Sequence, residues 1–186
     1  MTTFTSEHGS LPLAPVERPR SLFVRLLFRL LRARYGVVPT AFRVIYARTP
    51  WVALISVLIV LGLDRFLVID RELRLLLQLA ISSRAHCTFC SDINRAEALR
   101  ARMGRERFDD LLDFETSPAF TEREKAALAY ASALHESTRI PDAIWTRLGA
   151  CFSERERVDI VWVCAVERYY NSMALPLRIG TDRLAA

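Results

Sequence analysis

Apolar residues recur at helical spacing along most of this chain, with polar caps and breakers between the stretches. Between positions 22 and 31 they are three or four residues apart, arginines occupy the opposite side, and Ser21 stands directly before them. This is the pattern of an amphipathic helix with an N-terminal cap. It predicts a basic amphipathic helix over residues 21–35.

A continuous apolar run at positions 51–63 lies between Pro50 and Asp64. It is shorter than the roughly 20 residues that span a bilayer as a helix. Its β-branched residues would also suit a strand, but its length favours a helix. We therefore expect a helix that is buried in the core of a globular protein.

The remaining stretches also carry helix signals. Residues 71–81 and 91–103 contain no Pro or Gly, and Gly104 ends the second of them. Capping boxes at positions 121–124 and 153–156 each open a further apolar-periodic stretch. No alternating strand pattern or Asn-Gly hairpin appears, so the sequence predicts an all-α, multi-helix bundle.

Length and composition fit one globular domain. The chain has 186 residues, of which 52% are hydrophobic and 25% are charged, which is enough for a full core. Residues 1–20 mix Pro, Gly, Ser and Thr without an apolar period. We expect them to form a flexible tail before a single helical domain over residues 21–186.

The net charge of +5 is concentrated near the start of the chain, where residues 1–48 contain eight arginines and two glutamates. No recognition-helix or finger pattern accompanies this charge, so no nucleic-acid partner is expected. The basic helix over residues 21–35 suits a peripheral contact with a membrane surface. Docking on the core or on a neighbouring subunit is the favoured interpretation, because amphipathicity is the rule for helices of globular proteins.

Cys87 and Cys90 are the candidate chemistry of the chain. Thiols three residues apart on the first turn of a helix can close a disulfide, and the helix N-terminus stabilises a thiolate. Four cysteines in a chain of this length, with no signal peptide in residues 1–20, indicate a reducing cytoplasm. With His86 the pair supplies only three ligands, fewer than a structural zinc site needs, so no metal or other cofactor is expected.

The order of these pieces resembles the alkylhydroperoxidase D and carboxymuconolactone decarboxylase superfamily. A helix, a Cys-x-x-Cys at the start of the next helix, a capped Glu-rich helix and a helix ending at residues 168–173 carry the resemblance, which covers roughly residues 40–180. It implies an all-helical trimer or hexamer. It also implies reduction of a hydroperoxide or a small-molecule disulfide by the cysteine pair, with an external thiol as electron donor.

The resemblance also defines a proton relay from which this chain departs. The family pattern places a Glu and a His where this chain has Leu75 and Asn94. A thiol with an ordinary pKa of about 8.5 needs a proton acceptor near neutral pH, and neither side chain is one. Glu72, one turn before Leu75, and His86, beside Cys87, are candidate replacements. We expect Asn94 to hydrogen-bond across the helix junction.

We therefore predict a thiol-dependent peroxidase or disulfide oxidoreductase. Thiolate attack gives a sulfenic acid or mixed disulfide, the Cys87–Cys90 disulfide then closes, and an external thiol resets the pair. The helix terminus favours Cys87 as the attacking thiol, whereas the family pattern favours Cys90, which we prefer. Two alternatives stay open: a non-redox enzyme like carboxymuconolactone decarboxylase, and an oligomeric binding module without the relay.

Overall fold

Helices dominate the structure, a computed structural model that describes residues 5–6 and 9–185. The α-helices are α1 (Leu22–Tyr35), α2 (Pro50–Arg65), α3 (Arg71–Arg84), α4 (Thr88–Arg100), α5 (Glu106–Asp109), α6 (Glu122–Glu136), α7 (Asp142–Cys151) and α8 (Glu154–Ala174). A π-helix (Phe42–Tyr46) and a 3₁₀-helix (Leu111–Asp113) lie between them. Two-residue antiparallel strands, β1 (Thr5–Ser6) and β2 (Gly9–Ser10), precede them, with Thr5 opposite Ser10. The all-α prediction is confirmed.

The centre of the bundle is α3, in which every residue from Leu73 to Ser82 is buried. A helix that is buried on all sides must be surrounded by other elements. Here α4, α6 and α8 pack around it, and their apolar residues join those of α3 in one core that includes Leu76, Leu128 and Ile160. The cysteine pair comes directly after this central helix, at the start of α4.

The predicted helix caps are present. Ser21 caps α1, since its Oγ accepts from the backbone of α1 at 3.5 Å. Thr121 with Glu124, and Ser153 with Glu156, form reciprocal capping boxes at the starts of α6 and α8. Each box satisfies backbone N–H groups that a helix start otherwise leaves unpaired.

The prediction that the helix at positions 51–63 is buried in the core is wrong. The helix forms as α2, but only three of its residues are buried: Ala53, Ser56 and Leu63. Large apolar side chains on its outer face are between 48% and 67% exposed: Trp51, Leu54, Leu58 and Leu61. When a run is apolar on every face, the sequence does not indicate which face packs against the core. In the described ranges, no helix combines the length and apolar character needed to cross a bilayer.

The segment before α1 lies along the π-helix. The backbone N–H of Val16 donates to the Arg43 carbonyl at 3.0 Å, and the Arg43 guanidinium pairs with Glu17 at 2.9 Å. Residues 1–4 and 7–8 of the predicted flexible tail lie outside the described ranges. The flexibility of the tail stays a prediction.

A buried carboxylate ties the end of the chain to α4. Asp92 accepts hydrogen bonds at 2.9 to 3.1 Å from four donors: the Thr181 hydroxyl and the backbone N–H groups of Asp182, Leu184 and Ala185. Since Asp92 lies on the first two turns of α4, these bonds hold the C-terminal segment over the helix that carries the cysteines.

We expect Asp92→Ala to lower the free energy of unfolding by about 2–4 kcal/mol, because four donors lose a charged acceptor and water replaces it only in part. Urea denaturation measures the difference. The exposed Asp109→Ala serves as the control and should change stability by less than about 0.5 kcal/mol. Equal stability of the two variants would contradict the role given to Asp92.

Candidate active site

The junction of α3 and α4 positions the two cysteines. His86 adopts a left-handed conformation with φ of 53°, and this turns the chain from α3 into α4. Cys87 is the N-cap of α4, and its Sγ accepts from the backbone N–H of Cys90 at 3.4 Å. A disulfide joins the two residues, whose Cα atoms are 5.3 Å apart. The prediction of a cysteine pair at a helix start is confirmed.

The two sulfurs have different surroundings. Both cysteines belong to a small apolar cluster with Val44, Ala174 and Ile179, and Cys87 is fully buried in it. Cys90 is 2% exposed, and it lines a partly open cavity of about 380 Å³. Cys87 is not among the residues that line this cavity. A molecule inside the cavity therefore meets Cys90 rather than Cys87.

The cavity lies between α1, the π-helix, α2, α3, α4 and α8, and its walls are mainly apolar. The apolar lining includes Leu31, Phe42, Ile45, Val57, Phe89 and Ile93. Its volume falls in the range of small-molecule sites, which combine apolar walls with a few polar groups. The space accommodates an organic molecule about the size of a substituted ring.

One polar group in the cavity is a buried carboxyl. Glu167 on α8 is 2% exposed and lines the cavity together with Cys90. Burial raises the pKa of Glu167 to about 8, although the amides of Asn94 and Gln78 partly oppose the shift. At neutral pH the group is mostly protonated, and a modest change of environment ionises it, as a general acid or base requires.

Two polar atoms at this point lack a hydrogen bond of good geometry: Glu167 Oε1 and Asn94 Nδ2, both among the described residues. The Asn94 amide is nevertheless close enough to Glu167 to favour its ionised form. Unpaired buried polar atoms are costly, so native sites keep them where a ligand or water completes the bonding. Both residues line the cavity, and this places a donor and a titratable acid where a ligand can use them.

The structure separates the residues that the sequence suggested for this site. Asn94 lines the cavity, and so does Leu75 at the relay position. Glu72 does not reach the cavity, because its half-exposed side chain turns to Arg107, 3.2 Å away. His86 does not reach it either, since its exposed side chain lies in the turn between α3 and α4. Neither candidate replacement for the relay is therefore at the cavity.

The sequence analysis missed Glu167, although a signal for it exists. Along α8 the buried positions recur at helical spacing, and Glu167 follows the buried Val163 and Cys164 on the same stripe. An acidic residue in the middle of an apolar stripe is rarely buried without a partner or a function. Gln78 on the fully buried α3 carries the same signal.

No metal site accompanies these groups in the part of the chain that the structure describes. Within that part, no three or more His, Cys, Asp or Glu side chains are grouped so that they could hold a metal ion.

Residues 67–133 match the model of the carboxymuconolactone decarboxylase family. This stretch contains α3, α4 and most of α6, and hence the cysteine pair with both relay positions. The resemblance to the alkylhydroperoxidase D and carboxymuconolactone decarboxylase superfamily, inferred from the order of motifs, is thereby confirmed. The matched stretch has Leu75 and Asn94 at the relay positions.

Several known proteins are similar to this chain over most of its length. The uncharacterized protein YnjA of Escherichia coli (strain K12) is 26% identical over 153 residues, which are 79% of this chain and 84% of YnjA. An uncharacterized peroxidase-related protein from Silicibacter sp. TM1040 superposes with a TM-score of 0.84 at 18% identity, covering 100% of this chain and 98% of its own. The debrominase Bmp8 superposes with a TM-score of 0.80 at 21% identity, covering 100% and 95%. The two structural likenesses concern the fold.

Glu167→Gln should change how stability depends on pH. The pKa of Glu167 is about 8 in the folded protein and near its ordinary 4.5 in the unfolded chain, so the folded state binds more protons between these values. Stability of the wild type should therefore fall as pH rises from about 4.5 to about 8. The variant lacks this contribution, and it should gain stability relative to the wild type from pH 5 to pH 9.

Urea unfolding of the oxidised proteins at pH 5, 7 and 9 measures this effect. The exposed Glu136→Gln is the matched control, and its difference from the wild type should stay constant over this range. Parallel curves for Glu167→Gln and the wild type would contradict a raised pKa at Glu167.

Proposed function

We propose that this protein is a thiol-dependent oxidoreductase that reduces an organic hydroperoxide at the Cys87–Cys90 pair, with Glu167 as its acid–base group. The observation that carries the proposal is that Cys90 and Glu167 line the same apolar cavity. A redox-active pair alone would suit exchange with a protein disulfide equally well. The concave, mainly apolar space favours a small organic substrate.

The oxidation of the pair follows from these positions. Ionised Glu167 takes the proton of the Cys90 thiol, and the thiolate attacks the terminal oxygen of the hydroperoxide. The O–O bond breaks, and the departing alkoxide takes a proton from Glu167 and leaves as an alcohol. Cys90 is then a sulfenic acid. The Cys87 thiol attacks its sulfur, a water molecule leaves, and the disulfide forms.

Reduction of the disulfide uses the difference between the two sulfurs. An external thiol attacks Cys90 Sγ, and Cys87 departs as a thiolate. Cys87 is the better leaving group because its sulfur accepts a backbone N–H at the start of α4, where the helix dipole favours negative charge. A second external thiol then releases Cys90, and the donor becomes a disulfide. Two electrons have passed from the donor to the hydroperoxide.

Asn94 has a positioning role in this scheme. Its unpaired Nδ2 lies in the cavity wall, four residues after Cys90 and therefore on the same face of α4. An amide N–H can donate to an oxygen of the hydroperoxide and hold the O–O bond near the thiolate. In the family pattern a His at this position transfers protons, whereas here the titratable group comes from α8.

Reductive dehalogenation is the second candidate function. A cysteine-to-alanine variant of the debrominase Bmp8 was solved in complex with 2,3,4-tribromopyrrole, and the apolar cavity here also suits a substituted ring. Two thiols would supply two electrons: a C–H bond would replace a carbon–halogen bond, halide would leave, and the disulfide would close. Release of halide from a brominated pyrrole, with no turnover of hydroperoxides, would favour this function.

The sequence-based expectations about partners and location stay predictions. They are an external thiol donor of unknown identity, a trimer or hexamer of this chain, and a cytoplasmic location. The proposed chemistry requires only the first of these, because the disulfide has to be reduced after each turnover.

A stoichiometric pulse of cumene hydroperoxide should convert the reduced wild type to the Cys87–Cys90 disulfide. Cys87→Ser should stop at a sulfenic acid on Cys90, and Cys90→Ser should not react. Intact-mass analysis after thiol labelling, with dimedone as the sulfenic acid trap, distinguishes these products. Cys151→Ser, which alters a cysteine outside the cavity, should behave as the wild type.

Oxidation of Cys90 no faster than that of a free thiol would contradict the redox function. A non-redox enzyme of the carboxymuconolactone decarboxylase type, or a binding module, would then be the better interpretation.

Glu167→Gln should slow disulfide formation by about 100-fold or more at pH 7.5, the usual contribution of a positioned proton-transfer group. The wild-type rate should rise with pH up to about 8, as Glu167 ionises, and this rise should be lost in the variant. Stopped-flow measurement of thiol consumption between pH 6 and 9 tests both points. Glu136→Gln should retain the wild-type profile, and an unchanged profile in Glu167→Gln would exclude the acid–base role.

A further inference from the structure

We infer that the cavity binds an amphipathic organic anion, with its reducible group at Cys90, its apolar body along the walls and a carboxylate at Arg74. The part concerning the reducible group rests on the proposed function. The part concerning the anion rests on Arg74 and its surroundings. The inference narrows the substrate class from organic hydroperoxides in general to those that carry a negative charge.

Arg74 is a buried cation in the cavity wall. It is 7% exposed, and its Nη2 lies 2.6 Å from Asp64 Oδ1. Asp64 is its ionic partner among the described residues, and the Asp64 side chain is 52% exposed. A guanidinium has five N–H donors and binds a carboxylate best through two of them at once. A single, half-exposed carboxylate leaves donor capacity for a ligand.

The other carboxylate at this end of the cavity is already occupied. Glu97 accepts from Arg34 Nε at 2.9 Å and from the Tyr35 hydroxyl at 2.7 Å, and Arg71 lies 3.6 Å from it. Three arginines therefore face two carboxylates here, which leaves an excess of positive charge. Burial lowers the pKa of Arg74, and Asp64 offsets part of this. An arginine stays charged in spite of such a shift, and a ligand anion would relieve the cost of its burial.

The spacing along the helices sets the length of the ligand. Arg74 stands one turn before Gln78 on α3, and Asn94 stands one turn after Cys90 on α4. Gln78 and Asn94 both act on Glu167, so they lie at the same level of the bundle. Since one turn rises about 5.4 Å, Arg74 and Cys90 are about 11 Å apart along the helix axes. A ring that carries a hydroperoxide at one end and a carboxylate at the other spans this distance with the reach of the arginine side chain.

The walls between the two ends suit the apolar body of such a molecule. Side chains from four different elements contribute to them: Phe42, Val57, Leu75 and Ile93. A fully apolar substrate would leave Arg74 facing an unpaired, poorly solvated space. A substrate with a carboxylate would satisfy both the apolar walls and the buried cation.

Binding of a non-reactive pair of compounds to the oxidised protein tests the anion site directly. The probes are 4-isopropylbenzoate and its neutral counterpart 4-isopropylbenzyl alcohol, measured by calorimetry. Arg74→Gln should weaken binding of the benzoate by about 10- to 100-fold, the loss expected for a charge-assisted bond. Binding of the alcohol should change by less than about twofold. The same loss for both compounds would overturn the inference.

Asp64→Asn should change binding of the benzoate in the opposite direction. It removes the carboxylate that competes for Arg74, and the half-exposed position tolerates the change. Binding of the benzoate should tighten several-fold. A purely structural ion pair predicts no tightening, so unchanged or weaker binding would contradict the anion site even if Arg74→Gln fails to fold. Arg95→Gln alters an exposed arginine of α4 that does not line the cavity and should have little effect.

Turnover separates this inference from the proposed function. The wild type should use the 4-carboxylate of cumene hydroperoxide with a lower KM than cumene hydroperoxide itself, and Arg74→Gln should abolish the difference. Binding of the benzoate through Arg74 without turnover of either peroxide would support the anion site and reject the peroxidase. Equal turnover of both peroxides by the wild type, with no preference in binding, would reject the anion site and retain the peroxidase.

Discussion

The burial of α3 from Leu73 to Ser82 is the constraint on which the rest of this structure depends. A helix without a solvent-facing side needs partners all around it, and α4, α6 and α8 supply them. This arrangement also carries Arg74 and Gln78 into the interior, where polar groups are costly unless they are bonded. Both side chains line the cavity. In the proposed function, a ligand bound there would complete their hydrogen bonds.

Burial sets the protonation state of the carboxyl group in the cavity. A carboxyl exposed to water would be fully ionised at neutral pH, but Glu167 is surrounded by apolar groups and holds its proton up to a pKa of about 8. The two cysteines differ in position. Both lie in one apolar cluster, but Cys87 caps α4, whereas Cys90 lines the cavity. In the proposed reaction, the roles of attacking and resolving thiol follow from these positions.

In the superfamily pattern the titratable groups lie on α3 and α4, whereas in this chain the proposed acid–base group of the cavity lies on α8. Leu75 and Asn94 occupy the relay positions on α3 and α4, and Glu167 enters the same space from α8, more than 70 residues later in the chain. In the proposed function, the proton acceptor near the thiol comes from another helix, and this requires only that both side chains line one cavity. Glu72 and His86, although closer in sequence, face solvent.

The sequence by itself determined the helices, their caps, the cysteine pair at the start of α4 and the resemblance to the superfamily, because each depends on residues near one another in the chain. Only the tertiary structure decided that α2 exposes its apolar face, that Glu72 turns to Arg107 and that Glu167 shares a cavity with Cys90. The physical reason is that local spacing specifies which face of a helix is apolar or polar. Which neighbour that face meets, and whether a charge there is buried, depends on contacts between helices that are distant in sequence.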